Sequence, residues 1–142
     1  MRILFLCTGN AARSQMAEGW ARHLLPRGWE SHSAGTHPSG LHPFATKAMK
    51  ERGIELGGQY SKGLDEVPDT ADVLVTLCSH AAELCPRYPG AERVEHWNLP
   101  DPVMTPGSNE VVMSSFREVR DVIEQKMQIL AKELSDVGRS TT

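Results

Sequence analysis

The chain has 142 residues, room for one domain with a sizeable core, and carries a net charge of −3 with a pI of about 6.1. Its 15 lysines and arginines are scattered, which argues against a nucleic-acid-binding face. The longest apolar run near the N-terminus, Ile3 to Cys7, is too short for a secretion signal or a membrane span. A soluble, cytoplasmic protein is therefore expected, with a monomer as the default state. Its three cysteines should be reduced at rest, and any disulfide should be catalytic.

Residues 2–6 read as a buried strand, followed by a loop over Cys7–Arg13 and a helix from Arg13 to Leu25. Met16, Ala17, Trp20 and Leu24 fall on one face of that helix, and Pro26 and Gly28 end it. A short strand at Glu30–Ser33 leads to a loop at Ala34-Gly35-Thr36. A second helix is expected over 43–52, stopped by Gly53, and 58–63 reads as irregular. Asp72–Leu77 is a second apolar strand, and a further short strand falls at Arg93–Trp97. Val112, Phe116, Val119, Ile123, Met127, Leu130 and Leu134 recur at helical spacing, so a long helix closes a domain spanning residues 1–134. Residues 135–142 are expected to form a polar tail. Strands alternating with helices predict an α/β fold, a parallel sheet with helices on both faces. Ligands bind such sheets beyond the carboxyl ends of the strands, where Cys7 and Cys78 both fall.

The stretch Cys7-Thr8-Gly9-Asn10-Ala11-Ala12-Arg13-Ser14 carries the strongest signal. A cysteine at the end of a strand and an arginine at a helix start enclose small and polar residues. Backbone amides, a helix N-terminus and a guanidinium in that order make a cradle for a tetrahedral oxyanion. The same positive potential favours a thiolate at Cys7. Ser14 is placed to donate a hydrogen bond to that thiolate, and Asn10 to hold a left-handed turn. A thiolate against a bound oxyanion implies displacement at phosphorus or arsenic. Displacement needs a proton for the departing oxygen, and Asp101, stiffened by Pro100 and Pro102, is a candidate acid; it also fits a plain turn residue. Cys78 and Cys85 lie seven residues apart. On a helix they would be too distant to bridge. Two core thiols, a disulfide formed by looping out, and a metal site with His80 and His96 all remain open, although the spacing is unlike the usual zinc pairs. The remaining histidines, His23, His32, His37 and His42, read as surface or packing residues, and Trp20, Trp29 and Trp97 as packing in the core or at its rim.

At these residues the chain resembles a known family. Cys7 through Trp20 resembles the active-site segment of thioredoxin-coupled arsenate reductases, which share the fold of low-molecular-weight protein tyrosine phosphatases. Ser33-Ala34-Gly35, Val75 to Ser79, Cys85-Pro86, His96-Trp97 and Asp101-Pro102 follow the same pattern in the same order. The resemblance implies a single-domain three-layer sandwich with a four-stranded parallel sheet of order 2-1-3-4. It implies that Cys7 attacks arsenate, that Thr8 to Ser14 with Arg13 bind its oxygens, and that Asp101 protonates the leaving hydroxide. Cys78 would then attack Cys7, and Cys85 would attack Cys78. The Cys78–Cys85 disulfide would be exposed by unwinding of 79–85 and reduced by thioredoxin. No tightly bound cofactor or metal is implied.

The chain departs from the family in two places. Some members carry a further cysteine where this chain has Ala12. Some bind potassium with residues matching Asn10, Glu18 and Ser33 and an acid where this chain has Lys62; the Lys62 ammonium is expected to take the place of that cation, unless Lys62 is a solvated surface residue. A phosphatase acting on phosphotyrosine or small aryl phosphates is the alternative. It leaves Cys78 and Cys85 without a role, and Val103 stands where such phosphatases usually place an aromatic. An oxyanion-binding module without turnover and a reductase coupled to a low-molecular-weight thiol are further alternatives; neither requires the Cys78/Cys85 pair.

Overall fold

A computed structural model of the protein describes residues 1–77 and 90–140. Four parallel strands, β1 (Arg2–Cys7), β2 (Glu30–Gly35), β3 (Ala71–Thr76) and β4 (Ala91–His96), form one sheet of order β2-β1-β3-β4. The helices are α1 (Arg13–Leu24), α2 (Pro43–Lys50) and α3 (Asn109–Ser140), with short 3-10 turns at Leu64–Glu66 and Pro102–Met104. The chain thus has the single-domain α/β architecture expected of it.

β1 and β3 are apolar on alternate residues toward both faces, because the two central strands are covered on both sides. Ile3, Phe5, Val73 and Val75 face a large core completed by Met16 and Trp20 of α1, Met49 of α2, and Phe116, Ile123 and Met127 of α3. Leu4, Leu6 and Leu74 face a second, smaller core with Ala34 and Val67, flanked by Leu64 of the first 3-10 turn. The helix boundaries have local causes. Leu25 is extended, as the residue before Pro26 prefers, and α1 stops there. His42 accepts from Phe44 N at 3.0 Å through Nδ1, and Pro43 takes the first helical position, which starts α2.

Several boundaries differ from expectation; β4, for one, begins at Ala91 rather than Arg93. β2 runs through Ala34 and Gly35, which were expected in a loop, because their main chain pairs with Leu6 and Cys7 of β1 and Gly35 also bridges Gly63. Gly35 is required at that point: a Cβ there would lie 2.5 Å from Thr8 O and 2.8 Å from Asn10 N. α2 ends at Lys50, two residues early. α3 continues to Ser140, so the stretch from 135 expected as a polar tail is helical as far as that residue. Adding a residue to an existing helix gains a hydrogen bond without needing an apolar face, so periodicity alone does not mark the end.

Candidate active site

The carboxyl ends of all four strands converge on the loop after β1. Cys7 ends β1 level with Gly35 of β2, Leu77 follows β3 and bonds Leu6 O through its N–H at 2.8 Å, and Trp97 to Asp101 follow β4. This is where a parallel sheet places its ligand.

The loop is turned inside out. Its carbonyls point away from Cys7 and are taken by surrounding chain. Thr8 O accepts from His37 N (2.9 Å), Gly9 O from Ser39 N (3.0 Å), Asn10 O from Gln15 Nε2 (3.0 Å) and Ala11 O from His42 N (2.9 Å). In a trans peptide the N–H of the next residue points opposite to the carbonyl, and the described chain has no cis bond. The amides of Gly9, Asn10, Ala11 and Ala12 therefore turn inward. Asn10 N shows it directly, donating to Cys7 Sγ at 3.2 Å. A ring of inward amides at the start of a helix is an anion cradle.

Cys7 is buried, with its Sγ 2.9 Å from Ser14 Oγ. The direction of that bond follows from its neighbours. Lys62 N–H donates to Asn10 Oδ1 at 2.9 Å, which fixes the Asn10 amide, so Asn10 Nδ2 faces Ser14 Oγ at 2.8 Å and donates to it. Ser14 then turns its own proton toward Cys7 Sγ. Two donors on sulfur stabilise the thiolate. Asn10 itself has a φ of +46°, a left-handed backbone that asparagine tolerates.

Arg13 is buried and held from the far side, with Nη1 donating to Leu77 O at 2.9 Å and Leu99 O at 3.1 Å. Its Nη2 lies 3.6 Å from Asp101 Oδ2. Asp101 Oδ1 accepts from Val103 N at 3.1 Å, which sets the carboxyl at the start of the second 3-10 turn. Cys7, Arg13, Ala12 and Gly9 line a pocket of about 60 Å³ together with Asp101, Val103, Ala11 and Ser39. A cavity of that size holds a few waters or one small ion. Nucleophile, guanidinium and carboxyl thus share one small opening.

Behind the loop, Glu18 accepts from Ser33 Oγ (2.5 Å) and Arg22 Nη2 (2.7 Å), and Lys62 Nζ lies 3.8 Å from it. Lys62 also donates to Tyr60 O at 3.1 Å and packs over the Tyr60 ring. It is 8% exposed, which excludes the surface reading of this lysine. Gln15 is wholly buried and ties Asn10 to Tyr60, whose carbonyl it reaches at 2.9 Å. Gln15 and Ser39 were missed in the sequence; the only available signal was a polar residue next to the motif for Gln15, and none for Ser39.

Cys78, His80 and Cys85 lie outside the described residues. No metal-binding cluster occurs among the described ones. His96 pairs its Nδ1 with Thr76 Oγ1 at 2.5 Å.

The profile of the low molecular weight phosphotyrosine protein phosphatase family matches residues 2–139. The chain belongs to this family. Within it, the chain is 45% identical over 131 residues to an arsenate reductase of Halalkalibacterium halodurans, covering 92% of this chain and 94% of that one. A solved arsenate reductase in the phosphate binding state superposes with a TM-score of 0.79 at 32% identity, over 93% of this chain and 97% of the other. A thioredoxin-dependent arsenate reductase of Corynebacterium glutamicum superposes with a TM-score of 0.70 at 25% identity, over 94% of this chain and 61% of that one. Among the described residues no helix is long and apolar enough to cross a membrane.

Proposed function

We propose that this protein reduces arsenate to arsenite by a three-thiol relay recycled by thioredoxin, as a cytoplasmic, monomeric enzyme of arsenic detoxification. The observation that supports this most is the buried Cys7 sulfur, held by Ser14 and Asn10 N at the floor of an oxyanion-sized pocket that Arg13 and Asp101 also line. Relatives named arsenate reductase across nearly the whole chain supply the element.

In this reading arsenate binds with its oxygens on the inward amides and Arg13. The Cys7 thiolate attacks arsenic and expels one oxygen, which leaves as water after Asp101 supplies a proton. Cys78 then attacks the Cys7 sulfur. The sulfur–arsenic bond breaks toward arsenic, which leaves as arsenite with the electron pair, and a Cys7–Cys78 disulfide remains. Cys85 attacks Cys78 and frees Cys7 as a thiolate, and a thioredoxin dithiol reduces the Cys78–Cys85 disulfide. Leu77, whose carbonyl Arg13 holds, immediately precedes Cys78 in the chain, so the chain enters the thiol segment at the anion site. No tightly bound cofactor is needed.

A phosphatase acting on aryl phosphates needs only Cys7, Arg13 and Asp101, and the family carries that activity in its name. Thioredoxin-coupled NADPH oxidation with arsenate separates the two. Turnover by the wild type that stops in each of Cys7→Ser, Cys78→Ser and Cys85→Ser supports the relay. Hydrolysis of p-nitrophenyl phosphate lost only in Cys7→Ser, without arsenate turnover, makes the chain a phosphatase.

A further inference from the structure

The pocket has a second wall, residues 36–42, laced to the oxyanion loop by main-chain bonds from His37, Ser39 and His42. Ser39 stands at its mouth. Around the opening Gly9, Ala11 and Ala12 offer no side-chain donor, Val103 is apolar, and Asp101 is an acid. Ser39 is the one hydroxyl among the described residues that line the pocket.

That hydroxyl has no strong bond of its own to keep. Its side-chain contact is with Gly9 O at 3.5 Å, beyond good hydrogen-bond geometry. The same carbonyl already accepts Ser39 N and Ser61 Oγ, each at 3.0 Å, and a carbonyl oxygen has two lone pairs. The Ser39 proton is therefore available to an anion in the pocket. Because the wall is fixed through main-chain N–H groups, the side chain can change without releasing the loop.

We propose that Ser39 is an anion-recognition residue, donating to an outward oxygen of the bound oxyanion at the mouth, beyond the inward amides. The proposal rests on the oxyanion-site reading above. A bare tetrahedral oxyanion presents a charged oxygen there. An ester presents a substituted, weakly accepting one, so Ser39 favours the bare ion.

The test is calorimetric binding of inorganic phosphate together with steady-state arsenate reduction, for wild type, Ser39→Ala and Ser39→Thr. Losing one hydrogen bond to a charged ligand is expected to weaken phosphate binding and raise the KM for arsenate about tenfold. Both kcat and melting temperature should hold, and Ser39→Thr should restore binding. Unchanged binding in Ser39→Ala overturns the proposal and leaves the functional reading intact. So does a fall in melting temperature and kcat that Ser39→Thr does not repair, which marks a structural role. A wild type that binds neither phosphate nor arsenate overturns the functional reading and this proposal together.

Discussion

Asn10 is the residue through which the rest of the molecule reaches the nucleophile, and Asn10→Ala is the most informative single change. The side chain is fully buried, accepts from Lys62 N and Gln15 Nε2 through Oδ1, and donates to Ser14 Oγ. Gln15 Nε2 keeps Asn10 O and Tyr60 O when the side chain is removed, but Lys62 N–H is left buried without its acceptor. An unsatisfied buried donor costs about 1–3 kcal/mol. Alanine in the left-handed region adds about 1 kcal/mol. The expected loss in urea unfolding is therefore about 2–4 kcal/mol, set almost wholly by those two terms. Asn10→Gly removes the same hydrogen bonds without adding the backbone cost, and should be about 1 kcal/mol more stable than Asn10→Ala. Both variants leave the Ser14 hydroxyl free to turn away from Cys7, so alkylation of Cys7 by iodoacetamide at neutral pH should slow in each. A loss below about 1 kcal/mol in Asn10→Ala, or a glycine variant no more stable than the alanine one, refutes the reasoning.

Asp101→Asn removes the proton donor without emptying the mouth; kcat for arsenate reduction should fall about 10²-fold or more while phosphate binds at least as well, and an unchanged kcat removes Asp101 from the chemistry. Melting temperature and turnover should be the same in potassium and sodium chloride at equal ionic strength, because the Lys62 ammonium stands beside Glu18; a potassium-dependent rise in either contradicts this. In acid, the Arg117 hydrogen bonds, and after them those of Arg120, pull the Glu51 carboxyl down from 4.5 to about 2. A folded-state value below the unfolded one makes the carboxylate stabilising above about pH 4.5, and that stability is lost as pH falls toward 2. Glu51 is a third exposed, so the screened contribution is about 1 kcal/mol, and Glu51→Gln should show that much less loss across this window.

The sequence alone determined those features that depend on neighbours along the chain. Continuous apolar runs mark β1 and β3, which are buried on both faces, and helical periodicity marks α1 and α3, because burial imposes the pattern of the element. The Cys7–Ser14 loop is legible because its chemistry lies within eight consecutive residues. The sheet order came with the family resemblance, and strand pairing is otherwise a long-range choice that local pattern does not encode. Tertiary structure decided everything that depends on residues distant in the chain. β2 extends through Gly35 because pairing with β1 is a contact across 28 residues. Lys62 looks like any surface lysine in sequence, and only the meeting of 60–62 with α1 buries it against Glu18. Ser39 gives no signal in its own segment; it matters because three main-chain bonds carry its loop to the mouth of the pocket. The nucleophile and its cradle are local and were readable, whereas the groups that orient the cradle and guard its opening are assembled by folding.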